Sequence, residues 1–526
     1  MADGATLVGS KAALPAFKSG EGAGIRKFNI NSNVDPSRNV NIATGVMNFT
    51  YYESLLQDVV RATVAFTDTG NSVEGKSVME GLPVYGSETT EIEIKDNNSN
   101  TLNLRLYVNK PDDLLDDTRK KLTTLNFASK EYFKNEKIRL NTRFDGLISN
   151  SVETILTAPE DQSGQGGGSL GSTTQRGGVV KFLDTEKELF IEASSNKRNF
   201  IGNNWKPFYT INWLAGQAIP TGEANPDAMT GESTNEAANS AGFMFWETAD
   251  GFHFKSIDGL FNKQKNQPKR RFIYNETAEG ACSANMPEGY DAKALEMSLD
   301  NRTDVQKKMM MGAFTTRTWL FNPYTAEVTF IYPNAGNSTG TEDLPSVANQ
   351  EDLQLMANNL PVFNREFDHD TDFTLTQFRV MDVGTLPEGT GSGENSQQVQ
   401  ESKVDDKKYE NTLNQGNMRV NQLFAFKVKI TIPGDFALRA GDMVYFDAPG
   451  LREEKIGLGN DAIDHQISGH YIIGSLCHYL DGGNTLTRLD LIRDSFGREA
   501  QDRNSSASIS NLGIGANDIP SLSNIA

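Results

Sequence analysis

The sequence is poor in the residues that most often carry chemistry. Its two cysteines, Cys282 and Cys477, lie far apart without metal-ligand spacing, and there are only five histidines among 526 residues. No apolar run approaches the roughly 18 residues of a membrane span, and the first residues lack the charged-then-apolar order of a secretory signal. These absences argue against a disulfide framework or a cysteine-based zinc site. We expect a soluble protein that matures in a reducing cytosol and makes no membrane contact.

The composition indicates a folded, loop-rich β protein. Hydrophobic residues make up 37% of the chain, with 29 Phe and 14 Tyr, which is too much for a disordered protein. The 47 glycines, with many Asn, Thr and Ser, favour turns between strands over long helices. A length of 526 residues exceeds one ordinary core, so two to four domains are expected.

The charge is strongly negative, with 50 basic against 69 acidic residues and a formal net charge of −19. Such a surface repels the DNA backbone and anionic lipid, which argues against sequence-specific DNA binding. The negative charge is compatible with a protein that lines a channel for DNA, because repulsion from the channel wall would prevent the DNA from adhering.

Alternating, β-branched segments near both ends of the chain predict two strand-rich units. The predicted strands are Arg61–Asp68, Glu91–Lys95 and Thr101–Val108 in the first unit, and Phe424–Ile432, Gly441–Phe446, His470–Tyr479 and Thr485–Arg493 in the last. A short echo links the units, since Asn-Thr-Leu opens a strand at residue 100 and again at residue 484. Two related barrels would produce this echo, as would chance.

The middle of the chain mixes helices and strands. Pro207 opens a helix whose apolar face is formed by Phe208, Ile211, Leu214 and Ala218. Aromatic residues alternate on both sides of Ala249-Asp250-Gly251, which predicts a hairpin over Phe243–Ile257.

The predicted fold is therefore mainly β with α+β insertions: two tube-like antiparallel β-barrel domains and two middle α+β domains. We assign a polar N-terminal arm to residues 1–45, a first barrel with short helices to 46–160 and a middle α+β domain to 161–260. An insertion-rich middle domain follows at 261–410, then a second barrel at 411–495 and a polar C-terminal arm at 496–526.

The most prominent motif match is a phosphate-binding loop pattern at Gly70–Ser77, GNSVEGKS. That chemistry needs a helix directly after the motif, so that its first N–H groups face the phosphates. Here Gly81-Leu82-Pro83 leaves barely one turn, and the next segments predict antiparallel strands. We interpret the segment as a polar hairpin loop.

The histidines and charged clusters predict no metal site. His253, His369, His465, His470 and His478 show no ligand spacing, although His470 and His478 share parity on one predicted strand. The cluster Asp368–Asp372 could hold a divalent ion, but it lacks the glycine and distal Glu of a calcium loop, so a solvated acidic turn is favoured.

One positive patch stands out in the acidic chain: Lys263, Lys265, Lys269, Arg270 and Arg271. An exposed loop is the plain interpretation, and contact with an acidic neighbouring subunit is the sharper one. No nucleophile elbow, Ser/His/Asp set or pair of glycosidase carboxylates is singled out. We predict no catalytic, cofactor-binding or metal-ligating residue, and hence no enzyme.

Several segments resemble the baseplate hub family of T-even-type contractile phages, especially the cyanophage members, which is related to late-control D and secretion-spike hub proteins. The segments are Asn199–Ala218, Ala241–Leu260 and Met309–Thr318, followed by a C-terminal block of Leu438–Val444, Ser468–Ile473 and Thr485–Asp494. In that block Gly441-Asp442 makes a tight turn, and Gly469 lets a strand bend. The C-terminal block is typical of the wider superfamily of tail-tip proteins.

The resemblance implies a structural part of a virion tail baseplate, assembled in the host cytoplasm. Such hubs form homotrimers in which each chain supplies two barrels, so that six barrels join the sixfold tail tube to the threefold central spike. The implied partners are the central spike, tail tube and baseplate wedge proteins, with transient passage of genomic DNA. The region 178–410 would form the cup that holds the spike.

Three alternatives remain open. One is the hub of a contractile secretion or toxin-delivery particle. Another is a baseplate receptor-binding protein, suggested by the aromatic hairpin at Phe243–Phe254. The third is an enzyme, either a nucleotide hydrolase built on Gly70–Ser77 or a cell-wall hydrolase.

Overall fold

The computed structural model describes sixteen stretches of the chain, which carry all the structural statements below. They are residues 23–35, 37–96, 100–117, 120–157, 182–221, 241–262, 266–274, 293–301, 304–312, 316–322, 326–331, 375–380, 416–448, 464, 466–481 and 484–495.

The first barrel is built from the first seven strands. They are β1 Gly24–Asn31, β2 Asn39–Asn41, β3 Val46–Ser54, β4 Arg61–Asp68, β5 Thr89–Lys95, β6 Thr101–Asp117 and β7 Lys120–Ala128, with helix α1 at Val78–Gly81. Their order in the sheet is β3-β4-β7-β6-β5-β1-β2. A 3-10 turn at Ala43–Gly45 leads from β2 into β3 and lies against both β1 and β4, so it bridges the two ends of this strand order.

The middle unit packs helices on a small sheet. Its elements are α2 Lys130–Lys137, β8 Arg143–Phe144, α3 Ile148–Leu156, β9 Glu188–Ile191, β10 Phe200–Ile201, α4 Pro207–Ala215, β11 Phe243–Glu247, β12 Gly251–Ser256 and α5 Ile257–Phe261. Strands β11 and β12 form the predicted hairpin, and β9 adds to β12 in parallel.

The second barrel also has seven strands. They are β13 Arg270–Tyr274, β14 Lys293–Ala294, β15 Glu296–Asn301, β19 Phe426–Pro433, β20 Met443–Asp447, β21 Gly469–Asp481 and β22 Asn484–Arg493. The pairings run β14-β13-β20-β21-β22-β19-β15, and β14 and β15 are separated by one residue, so this order also closes on itself. Most pairs are antiparallel, while β13 pairs in parallel with both β14 and β20.

A third sheet and two helical segments lie between these barrel strands in sequence. Helix α6 spans Val305–Met311, and the sheet has the order β17-β16-β18, with β16 Thr316–Asn322, β17 Glu327–Ile331 and β18 Leu375–Val380. Residues 416–423 are helical and lead into β19.

The two barrels share one continuous fourteen-stranded sheet. The link is strand β21, whose residues Ser475–Asp481 pair antiparallel with Asn48–Ser54 of β3. On the same edge, the first residues of β21 pair with β20. Backbone hydrogen bonds therefore join the barrels directly, and neither barrel edge is free at this seam.

The first barrel, the middle unit and the second barrel each have a hydrophobic core, and a further cluster lies where these three meet. Phe28, Phe49, Phe66 and Phe127 belong to the first barrel's core, and Phe426, Phe446 and Tyr471 to the second's. The further cluster, which we call the junction cluster, consists of Leu55, Met244, Trp246, Ile257, Leu260, Phe261, Leu423, Ala440, Met443, Ile472 and Ile492.

The predicted mainly β fold with an antiparallel sheet is confirmed, but several boundaries differ. Residues 24–31 and 39–41, predicted within the polar arm, are β1 and β2 of the first barrel, where Phe28 and Ile30 are fully buried. Strands β13, β14 and β15 come from the region predicted as an insertion-rich middle domain and complete the second barrel. Residues 138–156, predicted in the first barrel, pack into the middle core instead.

Candidate functional site: the junction of the two barrels

The segment Gly434–Asp442 between β19 and β20, which we call the junction segment, contacts both barrels and the middle unit. Three apolar residues at alternate positions enter three different clusters. Phe436 lies in the core of the first barrel, Leu438 in the core of the second, and Ala440 in the junction cluster. The segment consists of turns and irregular backbone with no strand, so residues two positions apart can point into different cores. This segment therefore fixes the relative position of the two barrels.

Two aspartates hold the junction segment against the first barrel. Asp96 is fully buried and accepts hydrogen bonds from the backbone N–H of Phe436 at 2.9 Å and of Asn100 at 2.8 Å. The Asn100 amide donates to Asp435 at 3.3 Å. Asp435 also forms a buried ion pair with Arg270 of β13 at 2.8 Å. Asp435 thus connects the turn before β6 of the first barrel to β13 of the second barrel.

Glu53 of β3 connects the first barrel to both the hairpin and the junction segment. Its carboxylate is 1% exposed and accepts hydrogen bonds from the backbone N–H groups of Ala249 at 2.8 Å and Ala440 at 2.9 Å, and from the Tyr51 hydroxyl at 2.8 Å. Burial raises the pKa of this carboxyl from 4.5 to about 7, although Arg439 and the hydrogen-bond donors act in the opposite direction. This carboxyl therefore lies buried in the seam, held by donors from three elements.

The aromatic hairpin β11–β12 is clamped between the middle core and the junction. Phe243 and Phe245 point into the core of the middle unit, and Met244 and Trp246 point into the junction cluster. Both faces of β11 are therefore buried, which explains why residues 243–246 are all apolar and do not alternate with polar ones. The Trp246 indole N–H donates to the carbonyl of Ala440 at 3.1 Å. All four side chains are at most 7% exposed, so these residues pack internally and do not form an exposed aromatic surface.

His253 of β12 has a structural position. Its ring stacks between Phe190 at 4.6 Å and Trp246 at 5.0 Å, and one nitrogen contacts the Thr248 hydroxyl at 2.9 Å. Burial, with the positive charge of Lys255, lowers the pKa of His253 to about 3. The ring is therefore neutral and serves as an aromatic spacer.

Arg419 ties the helical residues 416–423 to the rest of the junction. The guanidinium is fully buried and bonds Asp494 at 2.7 Å and Asp258 at 3.1 Å. It also lies 5.2 Å from the ring of Phe261. One cation thus joins α5 to the end of β22, and the two carboxylates balance the cost of burying it.

Along one edge, strand β21 changes its pairing partner at Gly474: the residues before it pair with β20, and the residues after it pair with β3. The Gly474 carbonyl accepts a hydrogen bond from the backbone N–H of Leu55 at 2.9 Å, next to the seam with β3. One residue earlier, Ile473 exchanges backbone hydrogen bonds with the end of the junction segment, accepting from Gly441 at 2.8 Å and donating to Asp442 at 2.9 Å. A Cβ at residue 474 would lie 3.0 Å from two side-chain atoms of Ile492. A side chain at residue 474 would thus need Ile492 to shift by a few tenths of an ångström, and glycine avoids this crowding where the two barrels meet.

The bulge at this point corrects one expectation about the histidines. His470 and His478 share parity, and we expected them on one side of the strand. The register shifts between Ile473 and Ser475, so Tyr471 and Ile473 face inward before the bulge, and His478 faces inward after it. His478 is 1% exposed and stacks on Tyr51, while His470 lies on the other face. His369 and His465 lie outside the described residues.

The basic run Lys263–Arg271 also differs from what the sequence suggested. Instead of forming an exposed loop or awaiting a neighbouring subunit, three of its members pair within the chain. Lys269 bonds Asp442 at 2.8 Å, Arg270 bonds Asp435, and Arg271 bonds Asp447 at 2.6 Å. The partners are acidic residues of the junction segment and of β20. Lys263 and Lys265 lie outside the described residues, as does the acidic cluster Asp368–Asp372.

The segment Gly70–Ser77 forms a compact hairpin loop. Val73 and Lys76 make an antiparallel bridge, and α1 has only four residues. The carboxylate of Asp68 accepts hydrogen bonds from the backbone N–H groups of Gly70 and Val78 and from the Ser72 hydroxyl. The loop's donors are thus used by the protein's own aspartate, where a nucleotide-binding loop would aim them at phosphates.

Within the described stretches of the chain, no group of three His, Cys, Asp or Glu side chains has metal-binding geometry. In the same stretches no helix is long and apolar enough to cross a membrane. Cys477 is a free, half-buried thiol whose pKa is raised by burial.

Comparison with known proteins gives structural neighbours only. No protein-family model and no curated protein sequence matches the chain. A tail protein from Neisseria meningitidis is similar in fold at 9% identity and a TM-score of 0.41, covering 90% of this chain and 97% of that one. The 43 kDa tail protein of prophage MuSo2 from Shewanella oneidensis gives 8% identity and a TM-score of 0.42, with 89% and 98% covered. The E. coli c3393 protein, a type VI secretion component, gives 9% identity and a TM-score of 0.34, with 90% and 77% covered.

Proposed function

We propose that this chain is the structural baseplate hub of a contractile phage tail, of the T-even type, and that it is not an enzyme. In this proposal three copies form a ring that joins the sixfold tail tube to the threefold central spike and lets genomic DNA pass. The observation that carries the proposal is the presence of two seven-stranded barrels, joined side by side in one sheet. Three such chains would present six barrels around one axis.

The junction supports a rigid adapter. A symmetry adapter must keep its two barrels in fixed relative positions while force passes through it. Here the barrels are joined by the β21–β3 ladder and by Phe436, which lies in the core of the other barrel. The buried contacts of Glu53 and Asp96 oppose sliding along that ladder, because any shift would leave buried carboxyl groups without hydrogen-bond donors.

The charge supports passage of DNA. A net charge of −19 disfavours adhesion of a polyanion to the wall of a ring. The same geometry would serve the hub of a secretion or toxin-delivery particle, for which no DNA passage is needed.

The middle region would contact the spike, and the outer surfaces would contact tube and wedge proteins.

Electron microscopy of the purified chain tests this proposal. Views down the ring axis should show six densities of barrel size, alternating in two slightly different forms. Three densities, or an isolated pair, would contradict the adapter role. A separate clearing assay on peptidoglycan, and a nucleotide-binding assay with Lys76→Ala as control, should both be negative.

A further inference from the structure

One loop of the first barrel holds an aromatic side chain out into solvent. Tyr85 is 84% exposed, the largest value among the exposed large hydrophobic residues of the described stretches. Val34, on the neighbouring β1–β2 loop, is 71% exposed. A single exposed apolar residue is ordinary, but the support beneath Tyr85 is not.

The loop is built around a buried carboxylate. Glu88 is 1% exposed and accepts hydrogen bonds from the backbone N–H groups of Tyr85 at 2.9 Å and of Gly86 at 2.9 Å. Asn33 of the β1–β2 loop donates to the Gly86 carbonyl at 3.1 Å and to Ser87 at 3.2 Å. The Tyr85 backbone is thus fixed before any partner arrives.

The backbone also takes conformations that need support. Gly86 has φ +131° and Ser87 has φ +65°, in the region that side chains rarely adopt. The Ser87 N–H donates to the Val108 carbonyl of β6 at 2.6 Å, which holds the turn in place. Backbone strain held by a buried carboxylate and by backbone hydrogen bonds, beneath an exposed aromatic residue, is typical of a preorganised binding loop.

The position of the loop indicates the partner. In the first barrel the seam lies at β3. Counted around the barrel, with its ends bridged by the 3-10 turn, the strands farthest from β3 are β6, which the loop contacts, and β5, which the loop precedes. In the second barrel the seam lies at β21, and the farthest segment is β14–β15. That segment carries Leu295, which is 47% exposed between the two strands, with its N–H held by the Thr431 carbonyl at 2.7 Å.

We propose that the Tyr85 loop of one copy docks on the β14–β15 segment around Leu295 of the next copy. Each exposed anchor lies on the side of its barrel away from the internal seam. A ring that continues the side-by-side order of barrels brings these two sides together, in a head-to-tail contact that closes after three copies. Tyrosine is enriched among residues that dominate interface energies, and a rigid loop reduces the entropy lost on binding. The proposal rests on the trimeric hub proposed above and names its interface.

Cross-linking tests the contact. In a Cys282→Ser, Cys477→Ser background, Tyr85→Cys and Leu295→Cys are combined and treated with a short bifunctional thiol cross-linker, which tolerates a wider separation than a disulfide. We expect covalent dimers and trimers from the double variant and neither from each single variant. Tyr209→Cys with Leu295→Cys is the matched control, because Tyr209 is an exposed tyrosine on α4 of the middle unit.

The outcomes separate the two proposals. A double variant that remains uncross-linked, while the same protein sediments as a trimer, would overturn the interface and leave the hub standing. Covalent dimers from Tyr85→Cys alone would show that the loop meets its own counterpart, which also overturns it. A chain that is monomeric before cross-linking would overturn the hub and the interface together.

A second variant tests the energetic role without cross-linking. Tyr85→Ala should raise the dissociation constant of the trimer about tenfold or more. The thermal midpoint of the dissociated chain should not move, because Tyr85 is exposed there. A trimer as stable as that of the unmodified chain would contradict the proposal.

Discussion

Asp96 of the first barrel accepts a hydrogen bond at 2.9 Å from the backbone N–H of Phe436, whose side chain lies in that barrel although it belongs to the connection between two strands of the second. The two residues are 340 positions apart. This contact makes the core of one barrel incomplete without the other.

Phe436→Ala should destabilise the first barrel although the change lies outside its sequence. The expected loss is about 3–5 kcal/mol, because a buried aromatic side chain is removed and a cavity remains. Denaturant unfolding should change from one transition towards two, as the barrels lose their coupling. Phe378→Ala is the control, since Phe378 is 64% exposed on β18 and should change stability little. An unchanged single transition in Phe436→Ala would contradict the shared core.

Gly441→Ala should distort the junction. Gly441 has φ +91°, and a Cβ there would lie 2.6 Å from the Trp246 ring. We expect a loss of roughly 2–4 kcal/mol, combining backbone strain with displacement of the indole, and a shift in tryptophan fluorescence. Gly216→Ala is the matched control, because Gly216 ends α4 with φ −68° and a Cβ there has room. Equal thermal midpoints for the two variants would rule out a special role for Gly441.

Arg419→Met should be far more damaging than the loss of a surface ion pair. It leaves Asp258 and Asp494 as buried carboxylates without their cation, which costs about 3–5 kcal/mol. Lys206→Met breaks an exposed pair with Glu136 and should cost less than about 1 kcal/mol. Comparable thermal midpoints would show that Arg419 does not hold the junction together.

Glu53 should give the junction a pH dependence of defined sign. Its pKa is about 7 in the folded chain against an ordinary 4.5, so the folded state binds the proton more tightly. Stability from this group therefore rises as pH falls through 7, is complete below 4.5, and is lost above 7. The span is roughly 3 kcal/mol.

Comparison with Glu53→Gln isolates that effect. The difference in unfolding free energy between the original chain and the variant, measured from pH 8 to pH 5, should shift in favour of the original chain as pH falls. A difference that is constant across this range would contradict a raised pKa. Glu136→Gln, an exposed glutamate, serves as the reference for a change of charge alone.

The local elements were predictable from the sequence because their signals are local. The alternation in Arg61–Asp68 gave the exact bounds of β4, and Pro207 gave the start of α4. The strand β1 was missed although Phe28 and Ile30 alternate, because the polar residues around them outweighed the signal.

The junction itself could not be predicted, because its contacts join distant parts of the chain. Nothing near Arg270 in the sequence indicates Asp435, and nothing near Glu53 indicates the backbone of Ala440. The bulge at Gly474 places the side chain of His478 on the opposite face of the strand from that of His470. It depends on the packing of Ile492 and on the change of pairing partner from β20 to β3. Only the glycine hinted that the strand is irregular there.

The mass of the purified full chain in solution tests most directly whether the two barrels of each chain build a ring of six. It should be measured alone and with the spike protein encoded in the same genome. We predict three times the 57.8 kDa of the single chain, or a monomer that becomes a three-to-three complex when the spike is added. A stable monomer that ignores the spike would contradict the ring of six.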